Sequence, residues 1–219
     1  MKSVCLISGG LDSFVSAGIA QKESDELYGL SIDYSQKHKK EIRYAKKIAD
    51  FLNMKEHKII TLDLSFLYSA LTDKSIKIPE KSISGIPPTY VPARNTIFIS
   101  LALAYAENIN ADAIYLGINH IDYSGYPDCR SQYINAYQNL INIATKKTVE
   151  GGKILLKTPL INLSKSEIIL LGNSMNLDFS LSWSCYQGKE KACGKCPSCI
   201  IRLKGFKEAG LKDPIKYII

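Results

Sequence analysis

"CLISGGLDSFVSAG", residues 5–18, has the pattern of a buried strand, a glycine turn and the start of a helix. Backbone N–H groups in such a turn, together with the N-terminus of the following helix, favour a bound anion. The pattern G-x-x-x-x-G-K-[ST] occurs nowhere in the chain, which argues against a P-loop nucleotidase. The stretch therefore predicts an anion-binding turn of another kind, and a tight turn without a ligand is the alternative.

The side chains of this turn indicate which anion it would hold. Gly9 and Gly10 permit positive φ angles and a close approach of the backbone to a ligand. Ser8 and Ser13 add hydroxyl groups, and the carboxylate of Asp12 suits a Mg²⁺ ion that bridges phosphates. We therefore expect a nucleotide phosphate site here.

Length and composition indicate one α/β domain with a small appendage. The chain has 219 residues, of which 46% are hydrophobic and 22% are charged, which is enough for a full core. We expect the domain to span 1–180 and the appendage 181–219. The N-terminal residues lack the pattern of an export signal, and the longest strongly apolar stretch, 97–106, is about half a membrane span. A cytoplasmic protein without membrane attachment is expected.

The formal net charge of +7 has two interpretations. One is nucleic-acid binding, and the other is a solvated helix face plus a pocket for an anionic small molecule. Charge alone says little about the partner, and we favour the small molecule and expect no direct contact with nucleic acid. The basic residues gather in two stretches: Lys37, Lys39, Lys40, Arg43, Lys46 and Lys47, and then 189–207.

Apolar runs alternate with amphipathic stretches along most of the chain, which predicts a doubly wound, mainly parallel α/β sheet. Ligands of such sheets bind beyond the carboxyl ends of the strands. Ser8, Asp33 and Gly117 each follow a predicted strand, so their loops should converge on one pocket. The predicted strands are 4–8, 27–32, 57–62, 113–116 and 154–158, and the predicted helices are 12–22, 39–52, 94–107, 131–145, 164–171 and 199–208.

Four cysteines lie close together in "CYQGKEKACGKCPSC", residues 185–199. Thiolates of Cys185, Cys193, Cys196 and Cys199 suit a closed, tetrahedral, structural Zn²⁺ site, one per chain. An iron–sulfur cluster is the rival, but the ferredoxin run needs a further cysteine at position 203, which is leucine. Of the other cysteines, Cys5 is expected in the core, and Cys129 is a weak candidate for a nucleophile.

"SGGLDS", residues 8–13, resembles the pyrophosphate loop (PP-loop) of the N-type ATP pyrophosphatases, which have the adenine nucleotide alpha hydrolase-like fold. The resemblance implies that the loop holds the β and γ phosphates of ATP as a leaving group while a substrate oxygen is adenylated. The implied ATP-binding residues are Ser8, Gly9, Gly10, Leu11, Asp12, Ser13 and Asp33, with Mg²⁺ accompanying the ATP.

Further segments resemble the 7-cyano-7-deazaguanine synthases of queuosine biosynthesis. These are "TYVPARN" (89–95), "GINHIDYSGYPDCR" (117–130), "TPLINLSKSE" (158–167) and the cysteine cluster, and the likeness runs from Ser3 to about Gly205. Ala93 departs from the glycine expected in "VPGRN". The resemblance implies an ATP-dependent carbon–nitrogen ligase that acts on 7-carboxy-7-deazaguanine and ammonia through an activated carboxylate and an amide, and it implies a homodimer.

Candidate residues fit that substrate. A guanine-like edge offers two adjacent N–H donors that one carboxylate can accept, and Asp122 and Asp128 are candidates for it. Tyr123 and Tyr126 could stack on the ring, and Arg94 could bind a carboxylate or phosphate. Lys165 and Arg202 are active-site residues by resemblance, and Lys165 would stabilise phosphate charge. Loop packing of the tyrosines and an Asp128–Arg130 ion pair are the structural alternatives.

Two other functions remain open at the level of sequence. One is a tRNA-modifying enzyme of the same superfamily, of the thiolation or lysidine type. The other is a non-enzymatic zinc-ribbon protein that binds RNA, although RNA readers usually present aromatic residues amid basic ones. The basic stretches here hold few aromatic residues, which favours the ligase.

Overall fold

The computed structural model describes residues 1–36, 40–73, 75–79, 85–119, 125–187 and 189–218. In this part of the chain, five parallel strands form one sheet in the order β3-β2-β1-β4-β5. The direction of the strand order reverses between β1 and β4, which is where such sheets open a ligand crevice. The strands are β1 Lys2–Leu6, β2 Glu26–Asp33, β3 Glu56–Thr61, β4 Ala113–Tyr115 and β5 Leu155–Lys157.

Helices cover both faces of the sheet, so the predicted doubly wound α/β class is confirmed. The α-helices are α1 Leu11–Glu23, α2 Lys40–Phe51, α3 Arg94–Asn108, α4 Ser131–Ala144, α5 Lys146–Val149, α6 Lys165–Ser174 and α7 Pro197–Glu208, and short 3₁₀ helices span Pro127–Cys129 and Phe179–Leu181. None of the described helices is long and apolar enough to cross a membrane.

The core is divided by the sheet because successive strand residues point to opposite faces. Val4 and Ile114 pack on one face with residues of α3 and α4. Cys5 and Tyr115 pack on the other face with residues of α1, α6 and α7. Both faces of β1 are thus buried, which fixes the end of this strand and the turn that follows it.

Two helix starts show how local sequence places the site. Ser164 caps α6 in a complete capping box, as the S-x-x-E pattern predicts: its hydroxyl accepts from the Glu167 N–H, and the Glu167 carboxylate accepts from the Ser164 N–H at 2.7 Å.

The start of α7 was predicted at residue 199 but lies at Pro197. Proline at the first helical position, after Cys196 as N-cap, is the reason.

The turn after β1 has two glycines, and the need for glycine is stronger at Gly9 than at Gly10. Gly9 has φ +80°, and a Cβ there would collide with the carbonyl oxygen of Glu41 at the start of α2. Gly10 has φ −83°, and the nearest atom to a Cβ would be the Ser8 hydroxyl oxygen at 3.3 Å. Gly9 therefore allows α2 to touch the turn, whereas Gly10 meets no comparable backbone constraint.

We expect Gly9→Ala to lower the free energy of unfolding by about 3 kcal/mol, because it adds a backbone clash to the roughly 1–2 kcal/mol of a left-handed conformation. Gly10→Ala, the matched control, should cost less than about 1 kcal/mol. Urea denaturation measures both values. Equal losses for the two variants would contradict the tight contact between the turn and α2.

Candidate active site

The turn between β1 and α1 has hydrogen bonds among its own serine hydroxyls and backbone groups. The Ser13 hydroxyl donates to the Gly10 carbonyl at 2.9 Å and lies 3.1 Å from the Ser8 hydroxyl. Gly10 is the N-cap of α1 and offers no side-chain oxygen to the N–H groups of the first helical turn. These N–H groups are the kind of donor that binds an anion at a helix N-terminus.

A cavity of about 260 Å³ lies beyond the carboxyl ends of β1, β2 and β4. The structure brings most of the sequence-derived candidates to its wall: Ser8, Gly10, Leu11, Asp12, Ser13, Arg94, Tyr126, Lys165 and Arg202. Gly9 instead contacts α2, and Asp33 and Asp128 are buried outside the wall. Asp122 and Tyr123 lie outside the described residues. The functional roles of all these residues stay predictions.

Asp12 and Lys165 form a close ion pair at the starts of α1 and α6. The ammonium nitrogen of Lys165 lies 2.6 and 2.7 Å from the two carboxylate oxygens of Asp12. The Lys165 side chain is 7% exposed and that of Asp12 is 16% exposed, so the pair is largely shielded from water. Gly205 of α7 leaves room for the stem of Lys165, since a Cβ at Gly205 would collide with the Lys165 Cγ. The pair places both signs of charge beside the phosphate turn.

Arg94 begins α3 and presents a guanidinium group to the cavity. The group lies 5.7 Å from the ring centre of Tyr34 and 5.9 Å from that of Phe98, and it donates a long hydrogen bond of 3.4 Å to the Tyr34 hydroxyl. In the described part of the chain, no carboxylate lies within ion-pair distance of it. Ala93 just before it has φ +52°, a left-handed conformation that explains why glycine was expected there.

Glu41, which the sequence analysis missed, also lines the cavity. Burial raises the pKa of its carboxyl group to about 7, while the nearby Arg94 acts in the opposite direction. The sequence did contain a signal, because Glu41 shares the inward face of α2 with Ala45 and Ile48 at helical spacing. A carboxylate on the apolar face of a helix is uncommon unless it has a partner or a ligand.

Tyr126 and Asp128 each contact protein groups next to the cavity. The Tyr126 hydroxyl lies 2.7 Å from the Thr89 hydroxyl, and its ring is tilted by 54° against Tyr90. Asp128 accepts a hydrogen bond from the Asn95 backbone N–H at 3.2 Å, and burial raises its pKa. The described residues show no Asp128–Arg130 ion pair, so that alternative is not supported.

Cys129 lines the cavity, and its surroundings disfavour the thiolate form. Burial, followed by the neighbouring Asp128 carboxylate, raises its pKa to about 12. A thiol with so high a pKa carries almost no thiolate at neutral pH, and the thiolate is the reactive form.

Arg202 on α7 reaches the cavity wall, but its hydrogen bonds go to protein atoms. Its Nε and Nη2 atoms donate to Asp213 at 2.8 and 3.0 Å, and Nη1 donates to the Ser182 hydroxyl at 2.9 Å. Nη2 also donates to the Phe179 carbonyl at 3.1 Å. With 1% of its surface exposed, Arg202 joins α7 to the wall of the cavity, and its role in the chemistry stays a prediction.

The sulfur atoms of Cys185, Cys193, Cys196 and Cys199 all lie within 4.8 Å of one another, and all four residues are buried. The Cys193–Cys199 sulfur distance is 3.9 Å, close to the roughly 3.8 Å edge of a tetrahedron with zinc–sulfur bonds of about 2.3 Å. Hydrogen bonds from Cys196 and Cys199 lower the pKa of Cys185, and backbone N–H groups donate to the Cys185 and Cys193 sulfurs. The cluster could hold a metal such as zinc.

The cysteine segment is connected directly to the phosphate turn. The Trp183 N–H donates to the Gly9 carbonyl at 2.8 Å, and its indole N–H donates to the Cys185 carbonyl at 3.0 Å. The Lys40 ammonium lies 3.5 Å from the centre of the Trp183 ring. Any metal bound by the cluster would therefore stabilise one wall of the cavity.

Comparison with known proteins identifies the family. Residues 2–210 match the family model described as "Queuosine biosynthesis protein QueC". The chain belongs to this family. It is 52% identical over 221 residues to the 7-cyano-7-deazaguanine synthase of Coxiella burnetii (strain RSA 331 / Henzerling II), covering 99% of this chain and 98% of that protein. It is 50% identical over 219 residues to the 7-cyano-7-deazaguanine synthase of Saccharophagus degradans, covering 99% and 97%.

A solved structure extends the comparison to the fold. The NMN synthetase from Francisella tularensis superposes with a TM-score of 0.50 at 18% identity, covering 96% of this chain and 78% of that one. The resemblance stated from the sequence motifs is thus confirmed at the level of family and fold. Family membership favours the ligase over the tRNA-modifying and RNA-binding alternatives.

We expect Gly205→Ala to reduce ATP-dependent turnover at least about tenfold, because the added methyl group pushes the Lys165 stem away from Asp12. Lys207→Ala, on an exposed position of the same helix, is the matched control and should keep parental turnover. Steady-state release of pyrophosphate measures both. Parental rates in Gly205→Ala would show that the Lys165 position does not matter for turnover.

Proposed function

We propose that this chain converts 7-carboxy-7-deazaguanine, ammonia and ATP to 7-cyano-7-deazaguanine, the nitrile-forming step of queuosine biosynthesis. Relatives of about 50% identity over nearly the whole chain are named as synthases of this product. The observation that carries the proposal is one cavity that combines an anion-binding turn with an arginine that has no carboxylate partner among the described residues. Such a cavity suits a nucleotide together with an acid.

The proposed reaction adenylates the substrate twice, first at its carboxylate and then at the amide, and AMP leaves after each adenylation. A carboxylate oxygen of the substrate attacks the α-phosphorus of ATP, and pyrophosphate leaves. Ammonia then adds to the carbonyl carbon, AMP departs with that oxygen, and the nitrogen loses a proton to give the amide. The amide oxygen attacks the α-phosphorus of a second ATP, and pyrophosphate leaves. Departure of AMP with that oxygen and loss of both remaining protons from the nitrogen leave the nitrile.

The residues of the cavity wall divide this work. Backbone N–H groups of the turn and of the first turn of α1 bind the departing pyrophosphate. Arg94 binds the substrate carboxylate with two parallel hydrogen bonds and orients its oxygen towards ATP. Leu30, Ile32 and Leu116 supply apolar surface for a flat ring and keep water away from the activated carboxyl group.

Asp12 and Lys165 fit a role at the phosphates. Carboxylate and hydroxyl oxygens are the ligands that Mg²⁺ prefers, and Asp12 lies beside Ser8 and Ser13 at the cavity. Mg²⁺, when bound, neutralises phosphate charge. Lys165, released from its pair with Asp12, can then direct its ammonium group to the oxygens of the α-phosphate, where charge develops.

We infer that the cysteine cluster holds one structural Zn²⁺ per chain and that the protein works in the cytoplasm as a homodimer without direct contact with nucleic acid. Four thiolates close the coordination shell, so the metal has no open position for substrate. The division into 1–180 and 181–219 is part of this proposal. The hydrogen bonds from the Trp183 N–H to the Gly9 carbonyl and from Arg202 to the Phe179 carbonyl join the two parts.

Mass spectrometry of the products tests the function. The purified chain with ATP, Mg²⁺, ammonium and 7-carboxy-7-deazaguanine should yield 7-cyano-7-deazaguanine, and omission of any one component should abolish the nitrile. Glutamine should not replace ammonium, because Cys129, the one cysteine at the cavity wall among the described residues, is held as a thiol. A chain that makes no nitrile, or that needs tRNA, would contradict the proposal.

We expect the purified protein to be colourless and to carry about one zinc per chain, since a closed four-thiolate site retains its metal. Cys196→Ser should lose most of that zinc on dialysis against a chelator, while Cys5→Ala, the control at a buried cysteine outside the cluster, should keep it. Elemental analysis gives both contents. Broad visible absorption from iron and sulfide, or full zinc in Cys196→Ser, would overturn the assignment.

A further inference from the structure

Two carboxylate side chains line the cavity among the described residues, and they differ in what they contact. Asp12 is paired with Lys165 through both oxygens. Glu41 makes no hydrogen bond or ion pair with any described residue, although its side chain faces the same space. Glu41 is half-buried, and a carboxylate that loses part of its hydration without gaining a partner is destabilised, so its presence here calls for a ligand.

The backbone that carries Glu41 is firmly placed. Its carbonyl oxygen packs against Gly9, and the first turn of α2 is thereby fixed to the phosphate turn. The charged and titratable groups that act on its carboxyl group are Arg94 from α3, Tyr34 after β2 and Cys185 in the cysteine segment. Asp12, Lys165 and Tyr186 line other parts of the same wall.

Glu41 and Arg94 present opposite charges to one cavity without pairing with each other. Glu41 lies in the first turn of α2 and Arg94 begins α3, so the two groups come from different elements of the cavity wall. A ligand that satisfies both must carry an anionic group on one side and N–H donors on the other. A 7-carboxy-7-deazaguanine molecule has this arrangement, with its carboxylate opposite the edge that bears the ring N–H and the exocyclic amine.

We propose that Glu41 accepts the ring N–H and the exocyclic N–H of the substrate and thereby determines specificity for the 2-amino heterocycle. This assignment rests on the function proposed above. A carboxylate matches two adjacent donors with its two oxygens, and hydrogen bonds to the ionised form favour that form. Asp128, the earlier candidate, already accepts the Asn95 N–H, and Asp122 is the competitor that the experiment must include.

The test is the ratio of kcat/KM for 7-carboxy-7-deazaguanine to kcat/KM for the analogue without the 2-amino group, 7-carboxy-7-deazahypoxanthine. The parent should prefer the amino compound by about 10- to 100-fold, the range of one hydrogen bond to a charged group. Glu41→Gln should bring the ratio close to one, because its amide NH₂ opposes the exocyclic amine. The KM for ATP should stay within about twofold of the parent.

Asp50→Asn, an exposed carboxylate change on the same helix, is the control and should keep the parental ratio. The assignment would be overturned if Glu41→Gln kept the parental ratio. It would also be overturned if Asp122→Asn removed the preference for the amino compound while Glu41→Gln kept it. Calorimetric binding of the two ring compounds gives the same ratio for any variant without turnover. The binding measurement also separates the two proposals. If the unmodified protein makes no nitrile, the proposed function is refuted, but the ratio of binding constants still decides the role of Glu41.

Discussion

The backbone of Gly9 is the point on which the rest of the site depends. It follows the central strand, leaves no space for a side chain beside the Glu41 carbonyl, and accepts a hydrogen bond from the Trp183 N–H at 2.8 Å. Three distant parts of the chain therefore meet at one residue: the phosphate turn, the start of α2 and the cysteine segment. A shift of this turn would move the anion site, the Glu41 carboxylate and one wall of the cavity together.

Charged side chains line the cavity, which is unusual for the interior of a protein. Asp12, Lys165, Arg94 and Glu41 all face it, and of these the first two satisfy each other. Stability alone would favour apolar residues at such positions, because the burial of an unpaired charge lowers the free energy of unfolding. ATP and an acidic heterocycle, the substrates proposed above, would supply partners for these charges on binding.

Local patterns predicted the parts of this structure that depend on local physics. The alternation of strands and helices gave the sheet, "SGGLDS" gave the anion-binding turn, and Ser164 with Glu167 gave the start of α6 and hence the position of Lys165. Cysteine spacing likewise predicted a cluster whose sulfurs prove to be neighbours. These features are set by residues a few positions apart, so periodicity and turn chemistry were sufficient.

What the sequence could not predict depends on contacts between distant segments. The hydrogen bond from Arg202 to the Phe179 carbonyl and that from Trp183 to Gly9 join elements that no motif connects, and the first gives Arg202 a structural setting that a motif match could not reveal. Asp128, a candidate for the purine edge, accepts a hydrogen bond from the Asn95 N–H, a contact that no motif reveals. Glu41 was overlooked because it lies in a basic stretch that looked like a solvated helix face.

In the proposed reaction, the phosphate turn binds the departing pyrophosphate while a substrate oxygen attacks the α-phosphorus of ATP. The most direct test uses 7-carboxy-7-deazaguanine labelled with ¹⁸O in its carboxylate and follows the label by mass spectrometry of the nucleotide and phosphate products. We expect the ¹⁸O to appear in AMP and pyrophosphate to stay unlabelled. Label in inorganic phosphate, with ADP as the nucleotide product, would mean that the γ-phosphate is transferred and would contradict this use of the turn.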